Sequence, residues 1–590
     1  MARHRLPLTH WQGLATLALA LLGLGAACNS GGGGSTVTTT ASTVTITNPG
    51  LQVLNEDSVM DLPILVQGGQ GTVRVSVAGL PPGACWDSAT QRLRFKPDFI
   101  QGGATWTVTV TASDDAGSVA ESFSVQVQDT LAPPTPTVTA TVPGSTYDLL
   151  TVSQVTDSYL DSPGYAATRS FEARVVVQKN ATANNRMPVR VYLHGLGGSP
   201  DPNGRTGEFA ISPHDPMNSY WWGYATNLPG GIATSGSVPN YTQRRVLNLL
   251  EWLLRTYPGA DPDRVYVVGG SMGGAGAATL GLLYARHFCY VYSTIGQMIP
   301  RKHRPYRLSR LGILWGSPAQ NLDDGTGMGV WDRMDLTRAL RDDHEARQQF
   351  LFTKHGKDDP TIHFGAVVFQ SPLTGSSYYQ AVQAERIGHY AVWDEGGHGT
   401  NAQNADPVLG TYWWHSNLSL VFDAETYLRR NLAFPAFSQS TLDDDPGTGQ
   451  PNGRQSWDDT SGYAGSLSVA GDTGWDGVIA GARNRHLRWR SSGIVDLPER
   501  FEIPLCVFSG TGGAAPSAGY PTTGNLVAGT LPAQVHVTVR RTQRFRPQPG
   551  QPVSWSFGAL SGTASADQDG VVTVPNLPLT SAWTRLVLEQ

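Results

Sequence analysis

The chain has 590 residues, with 42 Lys and Arg against 47 Asp and Glu, a formal net charge of -5 and no basic block. That balance excludes nucleic acid as a main partner, which needs clustered cations. A hydrophobic share of 40% excludes wholesale disorder, and a single apolar run near the start excludes a multi-span membrane protein. The length predicts roughly three to five domains.

In chain order, Arg3 and Arg5 precede an apolar run from Leu14 to Leu24 and then Gly25-Ala26-Ala27-Cys28. A basic start, a short apolar core and small residues before a cut site predict a secretory signal over residues 1–27. Residues 28–42, with Gly31 to Gly34, read as a flexible tether. Small residues directly before Cys28 resemble the processing site of bacterial lipoproteins. The resemblance implies that Cys28 is lipid-modified and anchors an exported protein in the cell envelope by its lipid. The alternative is a secreted protein with an ordinary cleaved signal. The other cysteines, Cys85, Cys289 and Cys506, show no paired or CxxC spacing and read as buried small hydrophobes.

Residues 43–129 alternate polar and apolar, as in Thr107-Val-Thr-Val-Thr-Ala-Ser and Ser122-Phe-Ser-Val-Gln-Val-Gln, with Asp114-Asp115-Ala116-Gly117 between them. Period-2 alternation broken by Asp and Gly predicts an antiparallel hairpin. With Gly79-Leu80-Pro81-Pro82-Gly83, the stretch resembles Ig-like β-sandwich modules of bacterial surface proteins. Residues 130–144 are rich in Pro and Thr and predict a stiff linker; because the first module lies between the expected anchor and the central segment, it is expected to act as a spacer. Residues 145–436 switch to strand–helix alternation, which predicts a mostly parallel sheet with flanking helices. Asn240 to Thr256 has helical spacing of Val246, Leu249, Leu250, Leu253 and Leu254. Residues 437–456 are polar and breaker-rich and predict a second linker. Residues 457–590 read as a separate β-rich domain, with strands near Leu487, Phe501, Val535 and Gly570. On this division, residues 145–440 are expected to fold and work alone.

The chemistry is concentrated in the central segment. Gly269-Gly270-Ser271-Met272-Gly273 fits G-x-S-x-G, and Arg264-Val-Tyr-Val-Val runs directly into it. A strand that ends abruptly in a Gly-rich helix start exposes the serine on a strained turn. Upstream, Val189 to Leu193 leads into His194-Gly195-Leu196-Gly197-Gly198, whose backbone N–H groups are free to face a site. The expected oxyanion donors are the amides of Leu196 and Met272, with the His194 imidazole a structural turn residue. Downstream, the strand Phe350 to Lys354 ends in His355-Gly356-Lys357-Asp358-Asp359, and Tyr390 to Trp393 ends near His398. A serine, an acid and a histidine in the order Ser271, Asp359, His398 supply nucleophile, orienting carboxylate and base. Asp358 competes with Asp359, and His389 with His398. Trp221, Trp222 and Trp331, with Tyr220, lie in loops where substrate could bind, with core packing as the competing role. Nothing has metal-ligand spacing or the look of a cofactor motif.

The motifs around His194-Gly195, Asp261 to Gly274, His355 to Asp359 and His398 together resemble the α/β-hydrolases. The nearest types are secreted esterases, polyhydroxybutyrate-depolymerase-like enzymes and the prolyl-oligopeptidase catalytic domain. The resemblance spans about residues 150–435 and implies a serine hydrolase acting on a carboxylic ester, polymeric or small, without cofactor. The alternatives are a prolyl-oligopeptidase-type peptidase and a non-catalytic binding protein on a hydrolase scaffold.

Overall fold

The computed structural model describes residues 44–165, 169–202, 204, 206–228, 231–357, 359, 361–394, 398, 426–449, 476–478, 481–508 and 530–590. The expected signal, Cys28, the tether and Asp358 lie outside them.

Residues 44–128 are all β apart from one short turn of helix. Thr105–Ser113 and Ser118–Gln128 form the hairpin expected from their alternation, and with Gln52–Asn55 and Arg74–Ala78 they make a four-stranded sheet. A three-stranded sheet of Met60–Pro63, Cys85–Asp87 and Arg92–Phe95 and a two-stranded ladder share its core. That core, with Trp86, Leu93, Phe95, Val108, Val110 and Val125 at its centre, is separate from the others in the molecule.

The central element is a ten-stranded sheet. Its strands are β1 (Thr137–Pro143), β2 (Tyr147–Val155), β3 (Ser170–Gln178), β4 (Met187–Leu193), β5 (Phe209–Ser212), β6 (Ala260–Gly270), β7 (Tyr290–Thr294), β8 (Phe350–Gly356), β9 (Gly388–Asp394) and β10 (Gly481–Arg483). The spatial order is β1-β2-β3-β5-β4-β6-β7-β8-β9-β10, with every pair from β5 through β9 parallel. The principal helices are α1 (Tyr241–Thr256), α2 (Met272–Leu283) and α3 (Pro305–Trp315).

Along β6 to β9 alternate residues serve two different cores, as period-2 geometry requires. Val265, Val267, Val291, Leu351, Ala391 and Trp393 pack with α1, α2 and α3 on one face. Tyr266, Val268, Tyr290, Tyr292, Phe350, Phe352, Tyr390 and Val392 face the opposite way. There they meet Phe434, Trp489, Ile503, Val537 and Leu588 of the C-terminal strands, in one continuous cluster. Tyr266 stacks on Tyr290 at 5.1 Å, and Phe350 contacts Trp489 at 5.7 Å between ring centres.

Two expected linkers therefore do different work. Half of residues 130–144 is strand β1, paired antiparallel with β2 along an exposed edge; its alternating Thr and Val favour an extended, paired chain. The segment from 437 does not separate a free domain. Phe434–Ser438 pairs with Ala533–Arg540, and Gly481–Arg483 adds to β9 as the last strand of the central sheet. The C-terminal region is the second covering layer of that sheet.

The N-terminal region also touches the centre, through Phe99, which packs in the central cluster and against Tyr159 at 6.3 Å between ring centres, and through polar contacts. Gly83 N–H donates to Leu283 O at 2.9 Å, Arg333 to Gly83 O at 2.6 Å, and Ser88 Oγ to Asp342 at 2.8 Å. Tyr159 donates its hydroxyl to the buried carboxylate of Asp98. An independent spacer would make no such bonds.

Candidate active site

β6 stops at Gly270 and α2 starts at Met272, so Ser271 carries the whole change of direction. Its φ of 58° is left-handed, a strain on the order of 1–3 kcal/mol for a residue with a side chain. The neighbouring glycines make the turn possible. A Cβ on Gly269 would stand 2.2 Å from Gly273 O, and one on Gly273 would stand 2.0 Å from Leu193 O. Ser271 N–H is held by Thr294 O at 2.9 Å. Among the described residues its hydroxyl has no hydrogen-bond partner.

The second turn follows β4. Gly198 N–H donates to Gly195 O at 3.0 Å, and Gly197 has φ 69°, the signature of a type II turn with glycine at its third position. A Cβ on Gly195 would lie 3.9 Å from Ser271 Cβ, so the two turns are side by side. Leu196 N–H and Met272 N–H have no acceptor among the described residues. Met272 is the first residue of α2, where backbone N–H groups lack helical partners and the helix dipole is positive. Two unpaired donors thus flank the serine.

The imidazole of His194 does more than occupy a turn. Asp215 N–H lies 3.1 Å from Nε2, and Nδ1 lies 2.8 Å from Gly195 O. A backbone N–H can only donate, so Nε2 accepts and the proton sits on Nδ1, aimed at that carbonyl. Burial pushes the His194 pKa below its usual value, in keeping with a neutral ring. Because the peptide is trans, fixing Gly195 O also fixes the opposite direction of Leu196 N–H.

Asp359 follows β8 and His398 follows β9, the two parallel strands beyond β7. With Ser271 at the end of β6, all three lie at carboxyl ends of strands, the edge where open α/β sheets bind ligands. Asp359 is fully buried and its Oδ1 accepts from Thr361 N–H at 2.7 Å and Ile362 N–H at 3.0 Å. His398 Nδ1 lies 2.8 Å from Oδ2 and 3.0 Å from Oδ1. The carboxylate accepts the Nδ1 proton, which leaves Nε2 as the basic lone pair on a ring still 28% exposed.

The competing histidine sits elsewhere. His389 is at the start of β9, buried, with Nδ1 on Ile387 O at 2.8 Å, and burial pushes its pKa down to about 4. Trp221, Trp222 and Trp331 are each at most 3% exposed. Their indole N–H groups donate to His194 O, Val238 O and Gly316 O, so all three are core residues rather than a face open to substrate. The aromatic-loop expectation is corrected accordingly: burial of large rings outweighed a surface role.

Two further buried side chains lie near the site, His303, which gave no signal in the sequence, and Tyr220, expected only among the loop aromatics. His303 is buried. Its desolvation, then Arg307, Arg304 and His398, hold its imidazole well below the usual range. Tyr220 has φ 53° and is 4% exposed. Burial first, and the charge of Asp359 further, raise its phenol pKa against the pull of Arg307 and Arg310. Both are placed by loops whose course has no periodic pattern to read.

No family model matches the chain, and no curated protein does. Among solved structures it is similar to an S-formylglutathione hydrolase from Agrobacterium tumefaciens, at 15% identity over 44% of this chain and 92% of that one, TM-score 0.31. It is similar to a ferulic acid esterase at 17% identity, over 46% and 95%, TM-score 0.30. A prolyl endopeptidase aligns at 13% identity over 54% of this chain and 44% of its own, TM-score 0.33.

Proposed function

We propose that the protein is an α/β-hydrolase-type serine hydrolase that cleaves carboxylic esters through an acyl-enzyme. The observation that carries this reading is the strained Ser271 beside two backbone N–H groups that have no acceptor among the described residues. Ser271 Oγ attacks the ester carbonyl as His398 Nε2 takes its proton. Asp359 keeps the imidazole in the Nδ1–H form and stabilises the imidazolium. The carbonyl oxygen, now negative, accepts from Leu196 N–H and Met272 N–H. His398 then protonates the leaving alkoxide, and in the second half-reaction it deprotonates water, which releases the acid and restores Ser271.

The test is Ser271→Ala in the full chain. Hydrolysis of p-nitrophenyl acetate is expected to fall at least ~1,000-fold, and covalent labelling by a fluorophosphonate to vanish, with circular dichroism unchanged. Labelling at the wild-type level would overturn the assignment. A panel of p-nitrophenyl esters of graded chain length beside Pro- and Ala-peptide anilides separates ester from peptide specificity.

We further propose that Cys28 is the lipid anchor of an exported, envelope-bound protein and that residues 43–129 form an Ig-like module. The anchor rests on the basic, apolar and small-residue order before Cys28. Cys28→Ser is expected to move the protein from the membrane fraction to the soluble fraction. An unmodified wild-type Cys28 by mass spectrometry would reject the anchor.

A further inference from the structure

The turn Gly195–Gly198 contains three glycines and has Leu196 38% exposed at its tip. Glycine-rich backbone is free to wander unless something outside holds it. Its own bonds, Gly198 N–H to Gly195 O and the His194 ring to the same oxygen, close the turn on itself. Among the described residues, a single hydrogen bond ties residues 195–198 to another part of the chain. Gly197 N–H donates to Asn218 Oδ1 at 2.7 Å.

The loop that presents Asn218 is rigid. Asn218, Tyr220 and Trp221 have φ values of 54°, 53° and 64°, all left-handed. Asp215 Oδ2 accepts from Ser219 N–H at 2.8 Å, Ser219 Oγ at 3.1 Å and Trp221 N–H at 3.2 Å. The Trp221 ring seals the loop against α2, where a Cβ on Gly276 would come within 2.4 Å of it. The same loop grips the base of the turn through Asp215 N–H and the Trp221 indole, both on His194. Asparagine suits its place twice, because it tolerates left-handed backbone and offers an oxygen acceptor.

We propose that the Asp215–Trp221 loop presets the oxyanion turn and that Asn218 is its positioning residue, acting on Leu196 N–H through Gly197. Asn218 does not touch the reacting atoms. It holds the donor where the tetrahedral oxyanion forms, and a displacement of about 1 Å at such a group costs up to about 100-fold in rate. This rests on the ester-hydrolase reading above.

The experiment compares Asn218→Gly, Asn218→Ala and Asn218→Asp in the full chain with p-nitrophenyl acetate as substrate. Glycine accepts the left-handed backbone but removes the acceptor, and alanine removes it while keeping a Cβ. Aspartate keeps an acceptor but adds charge near the oxyanion. For glycine, kcat is expected to fall about 10- to 100-fold with KM within about threefold of wild type. Aspartate is expected to retain clearly more kcat than glycine. If the glycine variant loses its native circular dichroism, the alanine variant is read by the same two criteria. A wild type that hydrolyses the ester and is labelled by a fluorophosphonate, together with an acceptor-free variant within twofold of its kcat, overturns the role of Asn218 alone. So does a loss confined to KM, or an aspartate variant no better than glycine. A wild type that neither hydrolyses nor labels overturns the hydrolase reading and this one with it.

Discussion

The two β-regions at the ends of the described chain are attached to the central sheet in opposite ways. The N-terminal one encloses its own core around Trp86 and Phe95 and meets the centre at a narrow seam, through Phe99 and through polar bonds such as Gly83 to Leu283. The C-terminal one has no such separate core, since Trp489, Ile503 and Leu588 lie in the same cluster as Tyr266, Phe350 and Tyr390 of the sheet. Both are flanked by breaker-rich sequence. A run of Pro, Gly and Asp therefore shows where the chain bends, and the destination of the apolar faces decides what is a domain.

The sharpest way to break this contrast is to cut the chain. A fragment of residues 145–440 bares at least Tyr266, Tyr290, Phe350, Phe352 and Tyr390. Five large rings correspond to up to roughly 8–15 kcal/mol of apolar burial, comparable to the usual stability of a domain. The fragment is expected to be insoluble or to lack a cooperative melt by circular dichroism. A soluble, cooperatively melting, ester-hydrolysing fragment would show that the C-terminal layer is dispensable after all.

Single tryptophans sharpen the comparison. Trp86 and Trp489 are both almost fully buried, and either change to Ala should cost roughly 3–5 kcal/mol. The consequences should differ in extent. Trp489→Ala is expected to lower the melting temperature of ester hydrolysis together with that of the whole fold. Trp86→Ala should produce a separate early transition, with hydrolysis at 25 °C preserved. Coincident melting of activity and fold in the Trp86 variant would make the N-terminal region part of the same cooperative unit.

The smallest effect concerns pH at the N-terminal seam. Asp343 is buried near Cys85, and burial, with the charge of Glu345, pushes its pKa from 3.8 to about 6. A carboxyl whose folded pKa is raised supports the fold fully below about pH 4 and loses that contribution as pH climbs through about 6. Asp343→Asn mimics the protonated form. It should flatten that decline, gaining up to about 3 kcal/mol relative to wild type between pH 4 and pH 7 in urea melts. Parallel pH profiles for the two proteins would remove Asp343 from the account.

What the sequence made legible follows from how local each constraint is. The turn at Ser271 was readable because Gly269 and Gly273 are demanded by atoms a few residues away or on the next strand. The pairing of Asp359 with His398 followed from two strand ends in the right order. The Asp215–Trp221 loop was not readable. Its left-handed residues include Tyr220 and Trp221, types with no preference for that backbone, and tertiary packing overrules their local tendency. The strands of the C-terminal region were visible in the sequence, yet a strand pattern says that one face is buried and not against what. For the same reason the tyrosines of β6 and β7 gave no warning that β-structure covers that face. Residues 130–144 misled in another way, since Thr and Val suit an edge strand as well as a linker.

The closure of the sheet by Gly481–Arg483 and the burial of Tyr266 in one cluster with Leu588 bear on the order of events during synthesis. When β9 leaves the ribosome, the elbow and the strands that present Asp359 and His398 exist, but one face of the sheet has nothing to lie against. Its cover arrives with residues as far as about 320 positions downstream of Tyr266, a separation that slows the search for native contacts. Until then the half-clad sheet is a sticky intermediate of the kind chaperones protect. Assembly of the edge that carries Ser271, Asp359 and His398 is thus timed by the chain's last strands and not by its own.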